Sequence, residues 1–276
     1  MSSNFSFKVF EAVQKIPKGK FLSYKEVARR AGKIKDYRAV ANLMARNQNH
    51  LIPCHRVIKN NNEVGGYKGS FKNRWLKVAL LLKEGAIGVI PTDTIYGICS
   101  SVLKKQNIEK IYQLRKMKKR RPMIILIFSL ADLKKFEIKL TKWQKKILSQ
   151  IWPGKISVVL KCPSKKFVYL HQGRKTLALR MPKNKELTEI LKISGPLIAP
   201  SANFEGCRPA KTIFEARKYF KNKIFYYNKG EIIGQPSTLI DLTQRPIKIL
   251  RQGSDFKKIK IKWLTIVRKT ERTKLF

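Results

Sequence analysis

The spacing of the apolar residues changes once along this chain, near residue 86, and that change dictates two folds rather than one. Before it, hydrophobic positions recur at helical spacing between capping signals. Ser23 and Glu26 form a capping box that opens a helix over Tyr24–Ala31, and Gly32 closes it. A second helix follows over Tyr37–Asn47, and an apolar helix over Trp75–Lys83 runs into Glu84-Gly85. Two helices joined this way predict a small winged helix-turn-helix-like module over residues 1–84. From Ala86 short apolar runs take over. Ala86–Ile90, Met123–Phe128, Ile156–Leu160, Thr176–Leu179, Leu197–Ala199, Ile224–Tyr227, Ser237–Asp241 and Ile247–Leu250 read as buried strands. Helical stretches at Asn107–Arg115, Thr141–Gln150, Lys185–Ile193 and Lys211–Phe220 lie between them, so residues 85–254 are expected to form an α/β sheet domain. Residues 255–276 alternate Ile with Lys and then turn highly charged, which predicts a basic tail: an edge strand with a mobile end.

Sixty-one Lys+Arg against seventeen Asp+Glu give a net charge of +44. A polyanionic partner is the physical reading, because each neutralised phosphate releases condensed counterions. The plainer alternative is a compositional bias that decorates solvated faces, and charge does not separate DNA from RNA. No apolar run reaches the roughly 18–20 residues of a membrane span. The first residues lack a signal-peptide pattern, so a cytoplasmic location with no membrane partner is expected. Cys54, Cys99, Cys162 and Cys207 are scattered without a C-x-x-C pair, and there are three histidines. That spacing argues against a zinc site or a disulfide framework, and no metal site is expected.

Pro53-Cys54-His55-Arg56-Val57 sets a cysteine beside a base and a positive charge. A thiol becomes a nucleophile only when deprotonated, and such neighbours achieve that; the alternative is a buried, inert cysteine. Phe21-Leu22-Ser23-Tyr24, Arg38-Ala39-Val40-Ala41-Asn42, Ile52-Pro53-Cys54-His55-Arg56-Val57-Ile58, Gly65-Gly66-Tyr67 and Glu84-Gly85 occur in the order of the O6-alkylguanine-DNA alkyltransferases, which residues 5–85 resemble. The resemblance implies that Cys54 takes an alkyl group from a guanine flipped out of double-stranded DNA, once per molecule. His55 would polarise a water that deprotonates Cys54, and Glu84 would orient His55. Arg38 would fill the gap left by the base, Tyr24 would crowd its phosphate, Asn47 would buttress the active-site turn, and Arg56 would join the DNA-binding set. Plainer roles are a packing aromatic for Tyr24, a phosphate contact for Arg38 and a helix-end carboxylate for Glu84. Asn47-Gln48-Asn49-His50-Leu51 lacks the family's usual Asn-Pro and is one residue shorter, which would displace Asn47. Related non-enzymatic alkyl sensors carry tryptophan where this chain has Cys54, and a damage-sensing or plain DNA-binding role is the alternative.

Residues 86–253 contain neither G-x-x-x-x-G-K-[ST] nor G-x-G-x-x-G, so any phosphate binding must use other donors. Thr92 and Thr94 after a strand, the basic run Arg115 to Arg121, Arg180, and Ser201 with Asn203 are the candidates. A strand-ending turn, a solvated loop and a proline turn are the plainer readings. Pro91-Thr92-Asp93-Thr94-Ile95-Tyr96-Gly97, Trp152-Pro153-Gly154, Leu179-Arg180-Met181-Pro182, Ala199-Pro200-Ser201-Ala202-Asn203, Pro236-Ser237-Thr238 and Ile249-Leu250-Arg251-Gln252-Gly253 together resemble the YrdC-like threonylcarbamoyl-AMP synthases over residues 83–253. That resemblance implies a twisted sheet with a basic concave cleft. It also implies synthesis of threonylcarbamoyl-AMP from L-threonine, bicarbonate and ATP, with Mg2+, for a tRNA modification, and with tRNA or its modification proteins as partners. Thr94 and Tyr96 would line the threonine side with Arg180 near its carboxylate. Ser201, Asn203 and Arg251 would hold ATP, and Thr92, Arg115 and Ser237 would contribute to the same cleft. The family's Lys-x-Arg is replaced by Arg115-Lys116-Met117, with Lys116, Lys118 and Lys119 as compensating cations. The rival reading is a nucleic-acid-binding protein with a degenerate nucleotide cleft.

Overall fold

The computed structural model describes residues 3–118 and 120–257. Its N-terminal part is mostly helical: α1 (Ser3–Gln14), β1 (Leu22–Ser23), α2 (Tyr24–Arg30), α3 (Tyr37–Arg46), β2 (Val57–Ile58) and α4 (Arg74–Lys83). Phe5, Val9 and Val13 of α1, with Ile16 just past its end, pack against Val27, Ala28, Val40 and Met44 of α2 and α3. The cap of α2 is one-sided: Ser23 accepts from the Glu26 N–H at 3.1 Å, while the Glu26 carboxylate turns to Arg29 and Arg30 instead of reaching back. Two arginines one turn further on offer it more charge than a single backbone N–H does. Gly32 ends the helix at φ +85°, where a side chain would be strained.

The rest is a mixed α/β layer: β3 (Gly88–Pro91), β4 (Tyr96–Ser101), α5 (Lys105–Leu114), β5 (Ile125–Leu126), α6 (Lys142–Ile151), β6 (Ile156–Lys161), α7 (Val168–His171), β7 (Thr176–Arg180), α8 (Lys185–Ser194), β8 (Leu197–Ile198), α9 (Ile213–Phe220), β9 (Phe225–Tyr226), β10 (Thr238–Asp241) and β11 (Lys248–Arg251). Among the described residues the strands run β11-β10-β6-β7-β5-β8-β4-β3-β9 in one sheet, with β10/β6, β5/β7 and β3/β9 parallel and the other neighbours antiparallel. The pleat sends alternate residues to two cores. Val89, Ile98, Ile125 and Ile198 face α5, α6 and α9, while Ile90, Cys99, Leu126 and Leu197 face α4 and α8. The strand predicted for residues beyond Asp255 lies almost wholly outside the described residues.

One sheet face is therefore covered by a helix from the N-terminal part. Val78, Leu81 and Leu82 of α4 pack with Leu187, Ile190 and Leu191 of α8 in a single core. A backbone seam adds to this at the sheet edge. The Val64 N–H donates to Tyr226 O at 2.9 Å and the Tyr226 N–H to Asn62 O at 2.8 Å, while Arg217 pairs with Glu63 at 3.0 Å. The segment after β2 thus extends the large sheet beyond β9.

Candidate active sites

The cysteine site is built at the start of a single 3₁₀ turn, Cys54–Arg56, between α3 and β2. Cys54 is 6% exposed, and Asn47 Nδ2 donates to its Sγ at 3.1 Å. The shortened segment does not displace Asn47. Its side chain also donates to Asn49 O at 2.9 Å and accepts from Asn49 N, so a local turn takes up the missing residue. Burial pushes the Cys54 thiol up, against the Asn47 hydrogen bond and the nearby Lys77 charge. Burial likewise lowers His55, against the pull of Glu84, and favours a neutral imidazole able to accept a proton.

Glu84, just past the end of α4, meets both neighbours of the cysteine. Its Oε1 lies 3.0 Å from His55 Nε2, without the alignment of a hydrogen bond. The better-made contact is with Arg56, whose Nε and NH2 reach the two Glu84 oxygens at 2.8 and 2.7 Å. Arg56 NH1 donates to Ile16 O at 2.6 Å, so this guanidinium is spent inside the module. Arg56, expected in the DNA-binding set, has its guanidinium held inward by a bidentate carboxylate and a carbonyl. Arg38 does stand exposed on α3, and Tyr24 is half-buried at the start of α2. Sequence reading passed over Lys77 of α4, which is 1% exposed, donates to Val57 O and lies 5.7 Å from the Tyr24 ring.

The second site is a cleft of about 380 Å3 in the large sheet domain. Thr92, Thr94, Arg115, Arg180, Ser201, Ser237 and Arg251 all line it, brought together from six separate stretches of chain. Thr92 makes the turn between β3 and β4, its Oγ1 donating to Ile95 O at 2.6 Å and accepting from the Thr94 N–H at 3.2 Å. Arg180 ends β7, where NH1 donates to Thr94 Oγ1 at 3.3 Å and NH2 pairs with Asp93 Oδ1 at 2.9 Å. Arg251 ends β11 and grips Ser237 O through Nε and NH2 at 3.1 and 2.9 Å. Ser237 Oγ in turn meets Ser157 Oγ at 2.8 Å. Arg115 is 7% exposed and donates to Asn203 O at 3.1 Å and Ser201 Oγ at 3.4 Å; burial lowers its pKa to about 10.

Two expected cleft residues do not line it. Tyr96 is fully buried with its ring in the core against α5, α6 and α9, and its hydroxyl donates to Gly230 O at 2.8 Å. Its hydroxyl therefore fastens the loop after β9. Asn203 is 5% exposed, and its Nδ2 donates to Phe204 O and Cys207 O, so it shapes the loop that carries Ser201. Of the proposed compensating lysines, Lys116 turns away to sit 4.4 Å over the Phe204 ring, Lys118 is not among the lining residues, and Lys119 lies outside the described residues. Met117 lines the cleft and brings no charge. Asp93, which sequence reading quoted only inside a motif, proves to be the counter-ion of Arg180; no local signal marks a pairing made across the sheet.

Residues 80–253 match the model of the Sua5/YciO/YrdC family, described as telomere recombination. Residues 4–86 match that of the 6-O-methylguanine DNA methyltransferase DNA-binding domain. The threonylcarbamoyl-AMP synthase of Pyrococcus abyssi is 30% identical over 177 residues, 62% of this chain and 52% of that protein. The synthase of Hahella chejuensis is 25% identical over 168 residues, 60% of this chain and 91% of that protein. The crystal structure of P. abyssi Sua5 complexed with L-threonine aligns at a TM-score of 0.63 with 27% identity, covering 69% of this chain and 57% of that one. Escherichia coli YciO shares the fold at a TM-score of 0.60, with 20% identity over 70% of this chain and 93% of that one. The chain thus spans about half the length of the P. abyssi relative. More than half of it falls inside one family model, and the sheet that carries the arginine cleft is that family's sheet: the chain belongs to the Sua5/YciO/YrdC family, with an alkyltransferase-type DNA-binding module fused ahead of it.

Proposed function

We propose that the larger domain makes threonylcarbamoyl-AMP from L-threonine, bicarbonate and ATP, as a step in tRNA modification. The cleft carries this reading. Among the described residues it presents four arginines and several hydroxyls, with no carboxylate, imidazole or thiol in its lining. Such a surface suits a polyanion and a carboxylate, and it needs no protein base. Threonine's neutral amine adds to the carbon of carbon dioxide and gives up one proton to solvent, or adds to bicarbonate with loss of water, and a carbamate forms. The carbamate oxygen then attacks the α-phosphorus, a P–O bond forms, and the bond to pyrophosphate breaks with its electron pair leaving on pyrophosphate. Arg115, Arg180 and Arg251 would offset the charge that gathers on the phosphoryl oxygens, and the Thr92 and Thr94 turn would orient threonine. The lining offers no carboxylate, the protein group that usually holds magnesium. The residues therefore do not fit a resident metal, and magnesium would enter on the nucleotide. Pyrophosphate release from ATP is expected to require threonine and bicarbonate. Release that is indifferent to threonine, or its absence from folded protein that binds ATP, would overturn the reading.

A second activity is favoured by a separate observation, the Asn47 hydrogen bond to Cys54 Sγ beside the neutral-leaning His55. Here Cys54 would pass its proton through a water to His55 while its sulfur bonds the alkyl carbon of O6-alkylguanine. The C–O6 bond breaks with its pair on O6, and the guanine regains a proton. Duplex DNA carrying O6-methylguanine should raise the intact mass by one methyl, and Cys54→Ser should not respond. An unchanged mass in the unaltered protein leaves the module as a DNA-docking element.

A further inference from the structure

Three of the four cleft arginines are committed. Arg115 is tied to Asn203 and Ser201, Arg180 to Asp93 and Thr94, and Arg251 to Ser237. Arg121 is different. It lines the same cleft, yet its side chain is 61% exposed and its partner is Glu205, 3.2 Å away in a solvent-facing ion pair. Exposed ion pairs of this kind contribute little and break readily.

Glu205 is the fixed half of the pair. Its backbone N–H donates to Arg115 O at 2.8 Å, and its Oε2 accepts from the Lys118 N–H at 2.8 Å. It is a post at the rim, and the long Arg121 side chain is the part free to swing. Met117 lines the same cleft and adds no charge of its own.

We propose that Arg121 is the polyphosphate-binding arm of the cleft, held at rest on Glu205 and drawn off it by the β- and γ-phosphates of a nucleoside triphosphate. This rests on the synthase reading and specifies how the nucleotide is recognised. The planar guanidinium exchanges one carboxylate for phosphate oxygens that it can meet with two parallel N–H bonds. Because a monophosphate lacks the outer phosphates assigned to the arm, Arg121 would set the preference for triphosphate over product-like AMP.

The test is titration calorimetry of ATP and AMP on the full chain, as wild type, Arg121→Ala and Glu205→Gln. Arg121→Ala should weaken ATP about tenfold and AMP less than about twofold, the loss of one charge-assisted contact to the outer phosphates. Glu205→Gln should tighten ATP by a few fold, since the competing partner loses its charge. Equal ATP affinity in wild type and Arg121→Ala, or an equal loss for ATP and AMP, would overturn this inference and leave the synthase reading standing. A wild-type protein that binds no ATP would overturn both.

Discussion

Asp93→Ala is expected to destabilise the large domain by about 3–5 kcal/mol, because it leaves the Arg180 guanidinium charged, buried and without its counter-ion. The side chains of this pair are each 4% exposed, so water replaces the lost partner poorly. What remains to Arg180 is a single bond to Thr94 Oγ1 at 3.3 Å, with its Nε already unpartnered. Neither Asp93 oxygen accepts a well-aligned hydrogen bond, so the ion pair is the main reason the carboxylate is tolerated there. Removing both charges together should cost far less. Asp93→Leu with Arg180→Met is expected to recover most of the loss, since apolar groups of similar size need no counter-charge. Urea unfolding of the two single variants and the double variant closes the cycle. Single variants within about 1 kcal/mol of wild type would mean that the pair is solvated and that Arg180 is not fixed as described.

The same pair shows what a linear sequence hides. Spacing revealed most strands, and most helices past residue 20, because those follow from burial periodicity that each segment carries within itself. Helix α1 has Phe5, Val9 and Val13 at helical intervals but carries no capping signal to mark it. Strand β4 failed for a physical reason. It is buried along its whole length, so it shows no alternation, and Gly97, Cys99, Ser100 and Ser101 lack the branched side chains that mark a strand. At the sites, residue types were legible while their partners were not. Nothing near Arg56 in the chain announces Glu84, and nothing near Tyr96 announces the Gly230 carbonyl. The resemblance assigns each to a ligand, while the fold also gives each a partner far along the chain.

Stability of this protein is expected to rise as pH increases from 7 to 9, and Lys77→Met should remove most of that rise. Lys77 is wholly buried, and desolvation lowers its pKa from 10.5 to about 7. Between those values the unfolded chain holds a proton that the folded chain has released, so unfolding takes up a proton and becomes harder as pH rises. Two pH units at about 1.4 kcal/mol each set an upper bound of roughly 2–3 kcal/mol for this one group. The titratable neighbours are Cys54, His55 and Tyr24. His55, lowered by burial, adds a rise of the same sign that is complete by about pH 7. Cys54 and Tyr24 are both raised, so each works in the opposite sense only near and above its ordinary value of 9 or 10. Lys77 sits on α4, whose opposite side fills the core shared with α8 and the large sheet. The effect should therefore appear in the unfolding of the whole chain, not of the N-terminal part alone. Denaturant midpoints at pH 7, 8 and 9 for wild type and Lys77→Met decide it. A flat wild-type profile, or one that Lys77→Met leaves unchanged, would mean that Lys77 stays protonated on the Val57 carbonyl.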